Sequence, residues 1–130
     1  MNTPERADRS DTLSYGDVGD LGTVREFVRR HALALGMSEA RTELLMLAVN
    51  ELATNTVQHT IGGGQVRVWA DDGHIVCDVV DQGPPRTFQR QMPPADAVRG
   101  RGLAIVERVC DHVDTVSGPE GTTVRLRLHL

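Results

Sequence analysis

Apolar positions in this chain change period several times, and each change marks an element. In 38-SEARTELLMLAVNELATNTVQHT-60, Leu45, Val49 and Leu52 form one helical row, with Leu44 and Ala48 in the row beside it. That pattern predicts a helix over 38–59. Ser38 is placed to cap it, and Glu39 and Glu43 sit near the positive end of its dipole. A shorter helix is predicted over 21–35, LGTVREFVRRHALAL, with Asp20 as its N-cap and Gly36 ending it. A third is predicted over 102–112, GLAIVERVCDH. Elsewhere the period falls to two. QVRVWAD places Val66, Val68 and Ala70 on one face, and HIVCDVVD follows after a turn at Asp72-Gly73. Further strands are predicted at Thr12–Tyr15, in VDTVS (113–117), and in TTVRLRLHL (122–130). In the last of these Val124, Leu126, Leu128 and Leu130 alternate with Arg125, Arg127 and His129, as in a sheet with one face covered.

The resulting order is helix, helix, hairpin, loop, helix, hairpin. It predicts an α+β fold, a two-layer α/β sandwich with helices on one face of a mostly antiparallel sheet. Residues 1–11, MNTPERADRSD, offer almost nothing to bury and read as a disordered tail, which leaves 12–130 as one domain. Residues 82–100 hold four prolines and no sustained period. They read as a long irregular loop, of the kind that serves as a lid, serves as a binding loop or stays disordered.

Composition narrows the function. With 39% hydrophobic but only 3% aromatic residues, the core has to come from Val, Leu, Ile and Ala. All 14 basic residues are arginine, and the absence of lysine excludes P-loop and Schiff-base chemistry. A net charge of −4 without a basic block argues against a nucleic-acid partner. No apolar run is long enough to span a bilayer and there is no signal peptide, so a cytoplasmic protein with no membrane partner is expected. Cys77 and Cys110 fall among apolar neighbours in a strand and a helix, and read as buried reduced thiols.

Four segments carry candidate chemistry. In the long helix the row 44–48 continues through Glu51 and Asn55, where core residues would be expected. Either a ligand satisfies these polar groups or the helix has emerged into solvent by that turn. A predicted strand ends in Asp81-Gln82-Gly83, which alone reads as a turn. Gly100-Arg101-Gly102 opens a helix, either as a flexible junction or as an anion site built from backbone N–H groups. A Rossmann motif is excluded, because no third glycine and no immediately preceding strand are present. Gly121-Thr122 turns into the last strand.

Together, in order and spacing, these segments resemble the Bergerat-fold ATP-binding domains of the GHKL superfamily, and most of all the bacterial anti-sigma-factor serine kinases. The resemblance runs from about Leu21 to Leu130. Glu51-Leu-Ala-Thr-Asn55 with His59 is similar to that family's N box, and Asp81-x-Gly83 to its first glycine box. Gly100-Arg101-Gly102-Leu103 is similar to its second, and Gly121-Thr122 to its final-strand nucleotide contact. The resemblance implies ATP and Mg²⁺ as ligands, with Asn55 on the metal and Glu51 as general base. Asp81 would take the adenine amino group, Gly83 would give room for the base, and Thr122 would hold a bridging water. Gly100, Gly102 and Leu103 would present N–H groups to phosphate. His59 would be either a helix cap or a phosphate contact, and Arg99 and Arg101 stand as lid arginines for the phosphates. The implied partners are a STAS-type anti-anti-sigma protein as substrate, a sigma factor held inactive, and a second copy in a homodimer. The alternative is a catalytically weak ATP-binding module that works by sequestration. Two positions depart from the pattern: Pro85, where many members carry a second glycine, and Ala104, where another glycine is common. A stand-alone histidine kinase is disfavoured, because His31, the helical candidate acceptor, lacks the acidic residue that usually follows.

Overall fold

The computed structural model describes residues 12–60, 62–82, 104–118 and 121–130. Strand β1 (Thr12–Tyr15) leads through a 3₁₀ turn (Val18–Asp20) into α1 (Leu21–Ala34), followed by α2 (Glu39–His59). The hairpin β2 (Gly64–Asp71) and β3 (His74–Gln82) comes next, then α3 (Ala104–Val109), β4 (His112–Gly118) and β5 (Gly121–His129). The strands form one five-stranded sheet in the order β1-β2-β3-β5-β4, antiparallel at every junction. The α+β sandwich expected from the pattern is therefore present.

The core lies between the helices and one face of this sheet. Val66, Val68, Ile75, Cys77, Val79, Val124, Leu126 and Leu128 project from the strands. Val24, Val28, Leu45, Val49, Leu52 and Val57 meet them from the helices, and Val106 from α3. Aliphatic side chains dominate, as the low aromatic content required. Cys77 and Cys110 are both buried free thiols. Burial pushes both thiols up, that of Cys110 to about 12. No helix among the described residues is long and apolar enough to cross a membrane.

Several local expectations hold in detail. Ser38 is extended, and its hydroxyl accepts the Arg41 N–H at 3.2 Å at the start of α2. Gly36 ends α1, with its N–H on Leu33 O at 3.0 Å and the Met37 N–H on Ala32 O at 3.0 Å. Asp72 and Gly73 both have positive φ, 53° and 79°, the signature of a two-residue I′ hairpin turn.

Others are corrected. Asp20 does not cap α1, because the 3₁₀ turn runs straight into the helix and the capping happens one turn earlier. Asp17 Oδ1 accepts the Gly19 N–H at 2.8 Å, and the Asp20 carboxylate reaches back to the N–H groups of Gly16 (2.8 Å) and Asp17 (3.2 Å). These bonds hold the Asp20 carboxyl below its ordinary value. Leu44 is 38% exposed, so the second apolar row of α2 begins at the boundary, while Ala48 in the same row is fully buried and Ala53 adds to the inner face. The third helix ends at Val109. Cys110 makes the last helical bond, to Val106 O, and Asp111 N then bonds Arg127 O at 2.9 Å and starts the turn into β4. Ala70 and Leu130 lie beyond the cover of the helices and are exposed.

The opposite face of the sheet is polar but built. Asp78 is 2% exposed, and both its oxygens take bonds from Arg125, at 2.7 Å from Nε and 2.9 Å from the second guanidinium nitrogen. The same guanidinium lies 5.1 Å over the Trp69 ring. The bidentate bond to Asp78 raises the Arg125 pKa above its ordinary value.

Candidate functional site

The helix-facing side of the sheet ends in a small group of polar residues from four strands. Asp81 on β3 lies opposite Gly64 on β2 and Thr122 on β5. Gly64 in turn lies opposite Tyr15 on β1, and Thr122 opposite Ser117 on β4. The side-chain period of two puts them on the face that buries Val79 and Val124. The core gives way here to chemistry.

Asp81 is half-buried. Its Oδ1 accepts the Thr122 N–H at 2.9 Å, and the Thr122 hydroxyl pairs with Ser117 Oγ at 3.2 Å. Desolvation raises the Asp81 pKa, partly offset by the Thr122 N–H. Among the described residues, burial of this carboxylate thus outweighs the one hydrogen bond from Thr122.

Beside it stands Tyr15, 4% exposed, its phenol pushed up to about 12 chiefly by burial. The hydroxyl lies near Thr56 and Asp81, yet no described atom makes a well-directed hydrogen bond with it. The Thr56 hydroxyl donates to Leu52 O at 3.1 Å, and its oxygen is the nearby acceptor for the phenol. A buried phenol oxygen without a well-directed bond among the described residues is a polar atom that a ligand or water can meet. Tyr15 also ties the two halves of the site together, since Thr56 directly follows Asn55 on α2.

The backbone is brought unusually close at this end. A Cβ on Gly64 would collide with the Val80 carbonyl and come within 2.9 Å of the Tyr15 hydroxyl. Gly121, at φ 135°, would drive a Cβ into the Asp81 carbonyl. Glycine at these positions lets β1, β3 and β5 converge around Asp81.

Glu51 and Asn55 stand four residues apart on α2, both half-buried, and Asn55 already has an interaction within the fold. They are neither core residues nor fully solvated ones, so the helix has not simply emerged into solvent at this turn. The His59 backbone closes α2, but its side chain lies outside the described residues. Gly83, Arg99, Gly100, Arg101, Gly102 and Leu103, the residues expected to meet base and phosphates, lie outside them as well. His31 is half-buried, its ring tilted at 41° against Phe27 with ring centres 4.2 Å apart and Nδ1 2.9 Å from Phe27 O.

Sequence reasoning missed Tyr15. The available signal was weak: it is the chain's single tyrosine, standing at the end of a short strand. Gly64 carries no local signal either, because its pairing with both Tyr15 and Asp81 depends on long-range register.

A five-stranded antiparallel sheet with helices on one face and this polar end is the GHKL, or Bergerat-type, sandwich. Residues 16–128 match the histidine kinase-like ATPase domain, and the chain belongs to that family. The fold is similar to that of the RsbU and RsbW domains of Rv1364c from Mycobacterium tuberculosis, with a TM-score of 0.71 and 21% identity. That likeness covers 92% of this chain but 32% of the other, so the chain spans about a third of that protein's length. A search of curated protein sequences gives no match.

Proposed function

We propose that this domain binds ATP with Mg²⁺ and phosphorylates a serine or threonine of a small STAS-type anti-anti-sigma protein, and that it sequesters a sigma factor, acting as a homodimer. Membership of the ATPase family and the structural likeness to a protein with an RsbW domain support this reading. The observation that carries it is Asp81: a half-buried carboxylate at the end of the helix-facing side of the sheet, with one oxygen fixed by the Thr122 N–H at 2.9 Å.

Such an acceptor suits the exocyclic amino group of adenine. Guanine presents a carbonyl at the equivalent place, which would face the carboxylate unpaired. The Tyr15 hydroxyl beside it, with no well-directed bond among the described residues, fits a water or a base nitrogen. Asn55 offers a neutral oxygen of the kind Mg²⁺ accepts alongside water and phosphate. Mg²⁺, when bound, would neutralise phosphate charge, the main requirement of phosphoryl transfer. Glu51, one turn from Asn55, would take the proton of the attacking hydroxyl, a contribution typically worth about 10²–10⁴-fold. Gly83, Gly100, Gly102 and Leu103, with His59, Arg99 and Arg101, complete the proposed site for base and phosphates.

Calorimetry with ATP and GTP, with and without Mg²⁺, tests the pocket. ATP should bind and GTP should not. Asp81→Asn should lose ATP affinity, and Asn55→Ala should lose the Mg²⁺ dependence. Glu51→Gln should keep ATP and partner binding while abolishing transfer. No ATP binding by the folded wild type at millimolar concentration would remove the kinase reading altogether.

A further inference from the structure

At the opposite end of the sheet from Asp81, three side chains from distant parts of the sequence converge. His74 opens β3 directly after the hairpin turn, His129 closes β5, and Asp111 sits between α3 and β4. One ligating atom from each lies within 4.8 Å of the other two. The two histidines are register partners across the β3–β5 ladder, with ring centres 4.2 Å apart at 32°. His129 Nε2 is 3.9 Å from Asp111 Oδ2. Nothing in the proposed kinase chemistry uses them.

We infer that His74, His129 and Asp111 form a binding site for a divalent ion of the zinc class. Two imidazoles and a carboxylate are a ligand set suited to zinc, whereas Mg²⁺ prefers oxygen donors alone. A tetrahedral ion with ligands at about 2.0–2.2 Å holds them roughly 3.4 Å apart. From separations of up to 4.8 Å the three atoms therefore need to close by up to about 1.4 Å, and the side chains of His129 (65% exposed) and Asp111 (35% exposed) have room to move. Water would take the fourth position.

The surroundings are already arranged for this. His74 Nδ1 lies 3.1 Å from the Asp72 carbonyl oxygen. A carbonyl only accepts, so Nδ1 carries the proton and the lone pair falls on Nε2. This is the second-shell arrangement that orients metal-bound histidines. Asp111 is held by its own N–H on Arg127 O (2.9 Å) and by the His129 N–H on its Oδ2 (2.7 Å). His129 is held by Arg41 Nε on its carbonyl at 2.7 Å. The Leu130 N–H reaches Gly73 O at 3.1 Å and joins the end of β5 to the hairpin turn. One group opposes binding: the Arg41 guanidinium lies 3.5 Å from the same Asp111 Oδ2 and competes with the ion for it. The site is therefore expected to bind more weakly than one whose carboxylate has no competing cation. Bound metal would fasten the hairpin, the α3–β4 junction and the final strand to one another.

The test is a ZnCl₂ titration by calorimetry on the chain freed of any polyhistidine tag, repeated with CoCl₂ and read by visible absorption. One equivalent should bind, with a cobalt spectrum of four-coordinate intensity, and millimolar Mg²⁺ should not displace it. His74→Gln and His129→Gln should each weaken binding at least as much as losing an outer-shell partner does, about 10- to 100-fold. His31→Gln, on α1, should bind as the wild type. The variants' circular dichroism should match the wild type, because both substituted side chains lie at the rim. Absence of binding at a hundredfold excess of zinc over protein would overturn the inference. So would unchanged binding in the His74→Gln/His129→Gln double variant, and the cluster would then be a cross-strand histidine pair anchored by an aspartate.

Discussion

Asp81 should separate stability from binding. Burial raises its pKa in the folded chain, so the ionised form costs the fold something that the unfolded chain does not pay. For an acid shifted upward, that cost is complete above the folded pKa and vanishes below the unfolded one. Stability should therefore fall as pH rises through the interval between them. Asp81→Asn removes the charge but keeps an oxygen for the Thr122 N–H. In urea titrations at pH 7 the variant should be as stable as the wild type or more so, and the gap should close as pH is lowered through the carboxylate range. A variant less stable at pH 7 would mean that the carboxylate holds the fold rather than serving a ligand. Asp78, by contrast, is held by both its oxygens within the fold. It is buried under Arg125, whose side chain is 40% exposed. Arg125→Met should cost about 2 kcal/mol, discounted for solvent from the 3–5 kcal/mol typical of breaking a buried pair. Adding Asp78→Val should restore much of that loss, since an apolar pair of similar volume often replaces an ion pair without penalty. Urea midpoints of the single and double variants check both steps.

The β3–β5 ladder carries the site, and Gly121 is where it is most easily broken. Its φ of 135° and the Asp81 carbonyl against its α-carbon leave no room for a methyl group. Gly121→Ala should destabilise by about 3 kcal/mol, the upper end of ordinary point substitutions, and should disturb the Asp81–Thr122 pairing. Thermal unfolding would measure the first effect, and amide exchange at Thr122 the second. Elements like this one also show how far the sequence could be read. The Asp72-Gly73 turn and the Ser38 cap were legible because each depends only on its immediate neighbours. Asp20 misled because a 3₁₀ turn precedes α1, and Asp17 and Asp20 cap that turn reciprocally instead of capping the helix. The end of α3 was not legible, since the bond that draws Asp111 out of the helix goes to Arg127, far along the chain. Asp81 and Thr122 could be singled out by resemblance, but their direct bond depends on register. Tyr15 belongs with them for the same reason, and no local pattern announced it.

Helix α2 links the two ends of the molecule. Arg41 at its start touches the His129 and Asp111 group, and Glu51 lies ten residues further on, about 15 Å along the axis. At that distance a metal at one end adds stability without touching the nucleotide end. The two ligands should then raise the melting temperature nearly additively. ATP with Mg²⁺ at a hundred times its Kd should contribute about 2.7 kcal/mol, or roughly 10 °C for a domain of this size. Differential scanning calorimetry with each ligand and with both together measures this, and a strongly non-additive shift would show that the ends communicate. The cation–π contact described above also has a practical side. Trp69 is the only tryptophan in the chain and lies under Arg125 on the sheet face turned away from Asp81. Its fluorescence will report the collapse of the sheet and stay nearly blind to what occupies the other face. The protein thus contains a gauge of its own denaturation, and nucleotide occupancy has to be followed by heat or by a labelled analogue.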